Sequence, residues 1–169
     1  MRIAFIDVEG NAVDVFQAVS GYIEQNASDI ELSRSTAPDI MKIPAAAKRA
    51  LSEYNDVALV FATATAEDER ALDLVHEKIV DVEVSTGKYV FLALAFSDDA
   101  RTPEKLEQEA INAVEDQVSR IIKSARGIAP LTQAPPDLAN ALPGFGNEQP
   151  GESLGDSTGD ATKDLHSLF

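Results

Sequence analysis

Two kinds of apolar segment alternate four times along the first 126 residues, and this alternation limits the possible folds more than any other property of the chain. Arg2-Ile3-Ala4-Phe5-Ile6 is a short apolar run; Val13, Phe16, Val19 and Ile23 then recur at helical spacing up to Asn26. Ile30 to Arg34 alternates as a strand does. After Ala37-Pro38-Asp39, Pro44 suits the first turn of a helix that carries Ala47, Leu51 and Tyr54. Val57 to Ala62 is continuous and apolar, as a parallel strand buried on both faces should be. Leu72, Val75, Ile79 and Val82 then mark one face of a long helix, which Gly87 ends. Tyr89 to Phe96 is a second fully apolar strand, and beyond Pro103 a last helix sets Leu106, Ala110, Ala113, Val114, Gln117, Ile121 and Ile122 along one stripe.

The order βαβαβαβα implies a four-stranded parallel sheet with right-handed crossovers and helices on both faces, a three-layer αβα sandwich. Ligands of such sheets bind beyond the carboxyl ends of the strands. The candidate loops are therefore Asp7 to Asn11, Ser35 to Lys42, Thr63 to Glu67 and Ser97 to Thr102. None carries a Gly-x-Gly-x-x-Gly or Gly-x-x-x-x-Gly-Lys-Ser/Thr pattern, so the sequence has no motif for a dinucleotide or a Walker-type phosphate site, and no cofactor is expected.

The remaining composition narrows the chemistry. The chain has no cysteine, which excludes disulfides, thiolate metal sites and cysteine nucleophiles. With two histidines, His76 and His166, a zinc site is not expected. A net charge of -15 repels nucleic-acid backbones and anionic lipid, and so diffuse an acidic excess suits either a high-salt, halophilic cytoplasm or an ordinary acidic protein of a mesophile. No apolar run is long enough to cross a bilayer, and the N-terminus runs into a strand pattern rather than a signal peptide; a cytoplasmic protein is expected.

After Arg126 the pattern stops. Residues 127–169 hold five prolines and six glycines without a sustained period, which reads as an acidic, disordered tail rather than a second domain. Its last residues are more apolar, and Leu165, Leu168 and Phe169 are either the anchors of a docking peptide for a partner protein or a frayed end.

Two stretches taken together resemble the lumazine synthase superfamily and its archaeal-type riboflavin synthase branch. Ala37-Pro38-Asp39-Ile40-Met41-Lys42-Ile43-Pro44-Ala45-Ala46-Ala47-Lys48 is similar to the family's Val-Pro-Gly loop and the proline-bearing helix start that follows it. His76-Glu77, then Thr86-Gly87-Lys88, then the acidic turn Asp98-Asp99-Ala100-Arg101 resemble the riboflavin synthase branch in particular. The likeness spans residues 1 to about 126. The departures fall in the site loops: Asp7-Val8-Glu9-Gly10-Asn11 lacks the family's stacking aromatic, Asp39 replaces a glycine, and Thr63-Ala64-Thr65-Ala66 replaces a glycine-rich loop.

The resemblance implies a homo-oligomer, a pentamer, that transfers a four-carbon unit between two 6,7-dimethyl-8-ribityllumazine molecules to give riboflavin and a pyrimidine. It implies substrate contacts at Asp7, Asn11, Pro38, Asp39, Ile40, Thr63, Ala64 and Thr65, with His76 and Glu77 as acid-base groups, the carboxylate of Glu77 serving a neighbouring subunit's site. His76 read alone is equally an ordinary solvated helix residue, and Arg34 and Lys42 ordinary surface charges. A second reading keeps the fold and removes the chemistry: a non-catalytic oligomeric scaffold whose tail recruits a partner protein.

Overall fold

A computed structural model describes residues 1–100 and 102–127. The expected tail, with Leu165, Leu168 and Phe169, lies outside the described residues. The elements follow in the order β1 (Arg2–Val8), α1 (Phe16–Asn26), β2 (Glu31–Ala37), α2 (Ile43–Ser52), β3 (Val57–Ala64), α3 (Glu69–Thr86), β4 (Tyr89–Phe96) and α4 (Pro103–Ala125). Single 3-10 turns, Ile40–Lys42 and Ala66–Asp68, lead into α2 and α3. All strand pairs are parallel, in the order β2-β1-β3-β4. The three-layer α/β sandwich expected from the sequence is the fold.

Strand alternation divides the core into two layers. Ile3, Phe5, Leu59, Phe61, Ala93 and Ala95 face Val15, Val19 and Ile23 of the α1 segment and Leu106, Ala110, Val114, Val118, Ile121 and Ile122 of α4. Ala4, Ile6, Val8, Ala58, Val60 and Ala62 face α2 and the Val75, Ile79 and Val82 stripe of α3. Each large apolar side chain so buried contributes about 1.5–3 kcal/mol. β1 and β3 are central and buried on both sides, which is why their sequences run apolar without alternation.

Several boundaries differ from the sequence reading. α1 begins at Phe16, leaving Val13 in the preceding loop. Ile30 precedes β2, and Ser35, Thr36 and Ala37, expected in a loop, pair with Ile6, Asp7 and Val8 of β1. Asp7 and Val8 close β1, and Thr63 and Ala64 close β3. In each case the parallel ladder carries polar or small residues further than local propensity alone suggests. Tyr54, expected on the buried stripe of α2, lies beyond the helix end in the left-handed region, φ 67°, with its ring exposed.

That turn forms part of a polar knot at the amino end of the sheet. Buried Asn55 donates Nδ2 to Ala50 O at 2.8 Å and accepts from Ser33 Oγ at 3.2 Å. Lys88 donates Nζ to Leu51 O at 2.7 Å and to Asn55 O at 2.8 Å. Three segments distant in sequence are thereby joined at the end of α2.

Candidate functional site

The order β2-β1-β3-β4 reverses direction between β1 and β3: β1 continues through α1 on one face of the sheet, β3 through α3 on the other. Adjacent loops leave a switch point in opposite directions and open a crevice there. A cleft of about 410 Å³ occupies that place, lined by Asn11, Asp39, Ile40, Met41, Thr63 and Asp68 among others. Four residues expected at the substrate, Asn11, Asp39, Ile40 and Thr63, therefore meet in one site.

The floor of the cleft is a clasp. Asn11 donates Nδ2 to Phe61 O at 3.2 Å and accepts at Oδ1 from Thr63 N at 2.8 Å and Thr63 Oγ1 at 3.2 Å. Ala12 N donates to Thr63 Oγ1 at 3.0 Å. Gly10, at φ 88°, makes the turn that returns the chain toward β3, a conformation that favours glycine. Asp39 Oδ1 accepts from Lys42 N at 3.1 Å and caps the 3-10 turn before α2. Thr65 and Asp68 close a capping box ahead of α3, Thr65 N donating to Asp68 Oδ2 at 2.8 Å. The polar side chains around the crevice are thus held by the protein's own backbone, which fixes the loops.

A smaller cleft of about 210 Å³ lies on the α1 side, with Asp7, Asp14 and Arg34 on its wall. The pairing of β1 with β2 brings Arg34 beside Asp7, whose Oδ2 it engages through Nε at 3.0 Å and Nη2 at 2.5 Å; Nη2 also meets Asp14 at 3.1 Å. The guanidinium lies 4.8 Å from the centre of the Phe16 ring. Its bond to Asp7 holds the Arg34 pKa above the ordinary value. The Phe16 N–H is the main cause of the lowered Asp14 pKa, with Arg34 adding to it. Asp7 Oδ1 is buried without a hydrogen-bond partner, an unused acceptor on the cleft wall. Arg34 read as a surface charge in the sequence because its partners lie 27 and 20 positions away; only the strand order brings them together.

A third cleft, of about 390 Å³, lies between α3 and the end of β4, lined by Thr65, Leu72, His76, Leu94, Phe96 and Asp98. His76 Nδ1 lies 2.9 Å from Leu72 O, the geometry of a donated N–H. In that tautomer Nε2 is an acceptor. Glu77, one residue on, does not line this cleft and pairs with Lys78 at 3.1 Å instead. Successive helix residues point about 100° apart, so adjacency in sequence does not bring His76 and Glu77 to a common point within one chain. Pro38 is exposed beside the crevice, and Ala64 is buried at the end of β3. Asp98 fastens the neighbouring turn, accepting from Ala66 N at 2.6 Å. Among the described residues no cluster of His, Asp and Glu is arranged to hold a metal ion, and no helix is long and apolar enough to cross a membrane.

Fold and crevice together define a doubly wound α/β protein with a small-molecule-sized opening at its switch point. No protein-family model matches the chain, and no curated protein matches it.

Proposed function

We propose that the protein is an enzyme of the riboflavin synthase type, or a divergent relative, that binds a ribityllumazine-like molecule at the carboxyl edge of its sheet. The observation that supports this reading is the convergence of Asn11, Asp39, Ile40 and Thr63 on the switch-point crevice, with His76 opening on the next cleft. Such a reaction needs two flat rings held together and proton transfer at an activated methyl group. His76 supplies an imidazole on the cleft wall for that transfer, and fixed loops lower the entropy lost on binding. The test is to mix the full chain with 6,7-dimethyl-8-ribityllumazine and follow fluorescence. The expected result is ligand binding, riboflavin formation, and loss of turnover in His76→Ala; absence of both binding and product overturns the reading.

One observation favours a second reading, a scaffold without catalysis. Asn11, Asp39, Thr63 and Thr65 are all engaged within the protein, and the first loop offers no aromatic face. On that reading the same titration gives no binding, and deletion of residues 128–169 abolishes capture of a specific partner.

A further inference from the structure

The cleft between α3 and the end of β4 holds about 390 Å³, the size of a small-molecule site, and its wall is divided by chemistry. The floor is apolar: Leu72 is buried, Leu94 half-buried, and Phe96 is 37% exposed. The rim carries the carboxylates of Glu69, Asp73, Asp98 and Asp99 and, among the described residues, no lysine or arginine. Nor does any of these four acids form an ion pair among the described residues.

The hydrogen-bonding groups of the wall are equally one-sided. Two lining side chains can donate, Thr65 and His76, and both are engaged within the chain. Thr65 Oγ1 donates to Asp68 Oδ2 at 2.9 Å, and His76 Nδ1 lies 2.9 Å from Leu72 O, which leaves Nε2 as an acceptor. The Ala66 N–H is taken as well, by Asp98 Oδ2 at 2.6 Å. The side-chain groups that remain are acceptors. The amino end of α3 adds about half a positive charge nearby, too little to offset four carboxylates.

These features select among occupants. An anion would meet the rim with no cation on the wall to answer it. A bare metal ion finds no arranged ligand set among the described residues and would leave the apolar floor uncovered. A ligand that suits both floor and rim joins an N–H-bearing cation to an apolar body.

We propose that this cleft binds a small organic ammonium with a flat apolar body, an arylalkylamine, its ring on Leu72, Leu94 and Phe96 and its ammonium donating to the rim carboxylates. An ammonium has donors and no acceptor, the complement of this wall. A ring placed against Phe96 adds an offset or edge-to-face aromatic contact. The cleft shares no lining residue with the switch-point crevice, and the proposal does not rest on the enzymatic reading.

Because the chain has no tryptophan, an indole ligand can be excited without interference from the protein. The full chain is titrated into tryptamine, tryptophol and indole-3-propionate, which share a ring and differ in the charge of the side arm, and binding is read by fluorescence anisotropy. At about 0.15 M salt, where the Debye length is about 8 Å, tryptamine is expected to saturate and to bind about tenfold more tightly than tryptophol, with the propionate weakest. Glu69→Gln combined with Asp73→Asn, both exposed positions, should weaken tryptamine about fivefold with an unchanged far-ultraviolet spectrum. Asp29→Asn combined with Glu107→Gln removes the same charge at exposed positions outside the cleft and should leave the affinity nearly unchanged. Equal losses in the two double variants reduce the effect to the diffuse charge of the chain and overturn the proposal. Equal binding of tryptamine and tryptophol overturns it too, as does a native chain that does not bind tryptamine, even where Arg101→Gln then admits it. None of these outcomes alters the result of the ribityllumazine assay, so the two readings fail separately.

Discussion

Replacing Asn11 with alanine removes the clasp between the β1 loop and β3, and its cost follows from the bonds lost. Phe61 O loses its donor at 3.2 Å, and Thr63 loses the acceptor of its N–H at 2.8 Å and of its hydroxyl at 3.2 Å. A net hydrogen bond is worth about 0.5–1.5 kcal/mol, and because Asn11 is only half-buried water can replace part of the loss, so Asn11→Ala should cost about 2 kcal/mol. With an unfolding entropy near 2.1 cal/mol/K per residue over the folded domain, that lowers Tm by roughly 7 °C. Asn11→Asp separates the two halves of the clasp. A carboxylate can still accept from Thr63 but has no N–H for Phe61 O, so this variant should also be destabilised near neutral pH, despite its matching shape. Thermal melts followed by circular dichroism, with urea titration as a second measure, provide the assay. An Asn11→Ala change below about 1 kcal/mol, or an aspartate variant as stable as the native chain, would refute the clasp as the element that fixes the crevice floor.

Four further outcomes are expected. Arg34→Met leaves Asp7 without its counter-charge, and since the guanidinium is itself partly exposed the loss should be about 1–2 kcal/mol in the urea midpoint, smaller if Asp7→Asn is added. Asp14 has a folded pKa below the ordinary 3.8, so its stabilising contribution is present above that value and is lost as pH falls through the folded pKa; the difference between native and Asp14→Asn melts should shrink from pH 7 to pH 3. Gly87 ends α3 at φ 66° with open space around its Cβ position, so Gly87→Ala should cost about 1 kcal/mol through backbone strain alone, read as a lower urea midpoint. With a net charge of -15, Tm should rise from dilute to molar KCl as the Debye length contracts from about 10 Å to about 3 Å; a flat response would count against a halophilic protein.

The layers were legible wherever burial dictates residue type. Val57 to Ala62 and Tyr89 to Phe96 could only be core strands or short buried helices, and the helical stripes between them decided for strands. The α4 stripe was read nearly to the residue; Val118 is buried in addition, while Ala113 and Gln117 sit on its margin. Strand ends were less legible, because Ser35 to Ala37 and Thr63 are in strand only through their neighbours in the ladder. Strand order was not legible, and with it went the site's electrostatics: Arg34 and Asp7 look unrelated until β2 is placed beside β1. The crevice residues were placed on the correct loops, but how their side chains are used depends on backbone groups far away in sequence, as Asn11 and Phe61 O illustrate.

Lys88 ties the end of α2 to the first turn of chain before β4, and this bears on the order in which the molecule assembles. Its two acceptors, Leu51 O and Asn55 O, converge only once α2 is wound to its end and Tyr54 has taken its left-handed turn. Until then the ammonium has water as its best partner. We expect the β4 edge strand to gain this anchor late, so substitutions at Lys88 should speed unfolding while leaving the folding rate nearly unchanged, as stopped-flow measurements in urea would read. An acidic chain with few cations has thus placed one of them where it links the last strand to the end of α2.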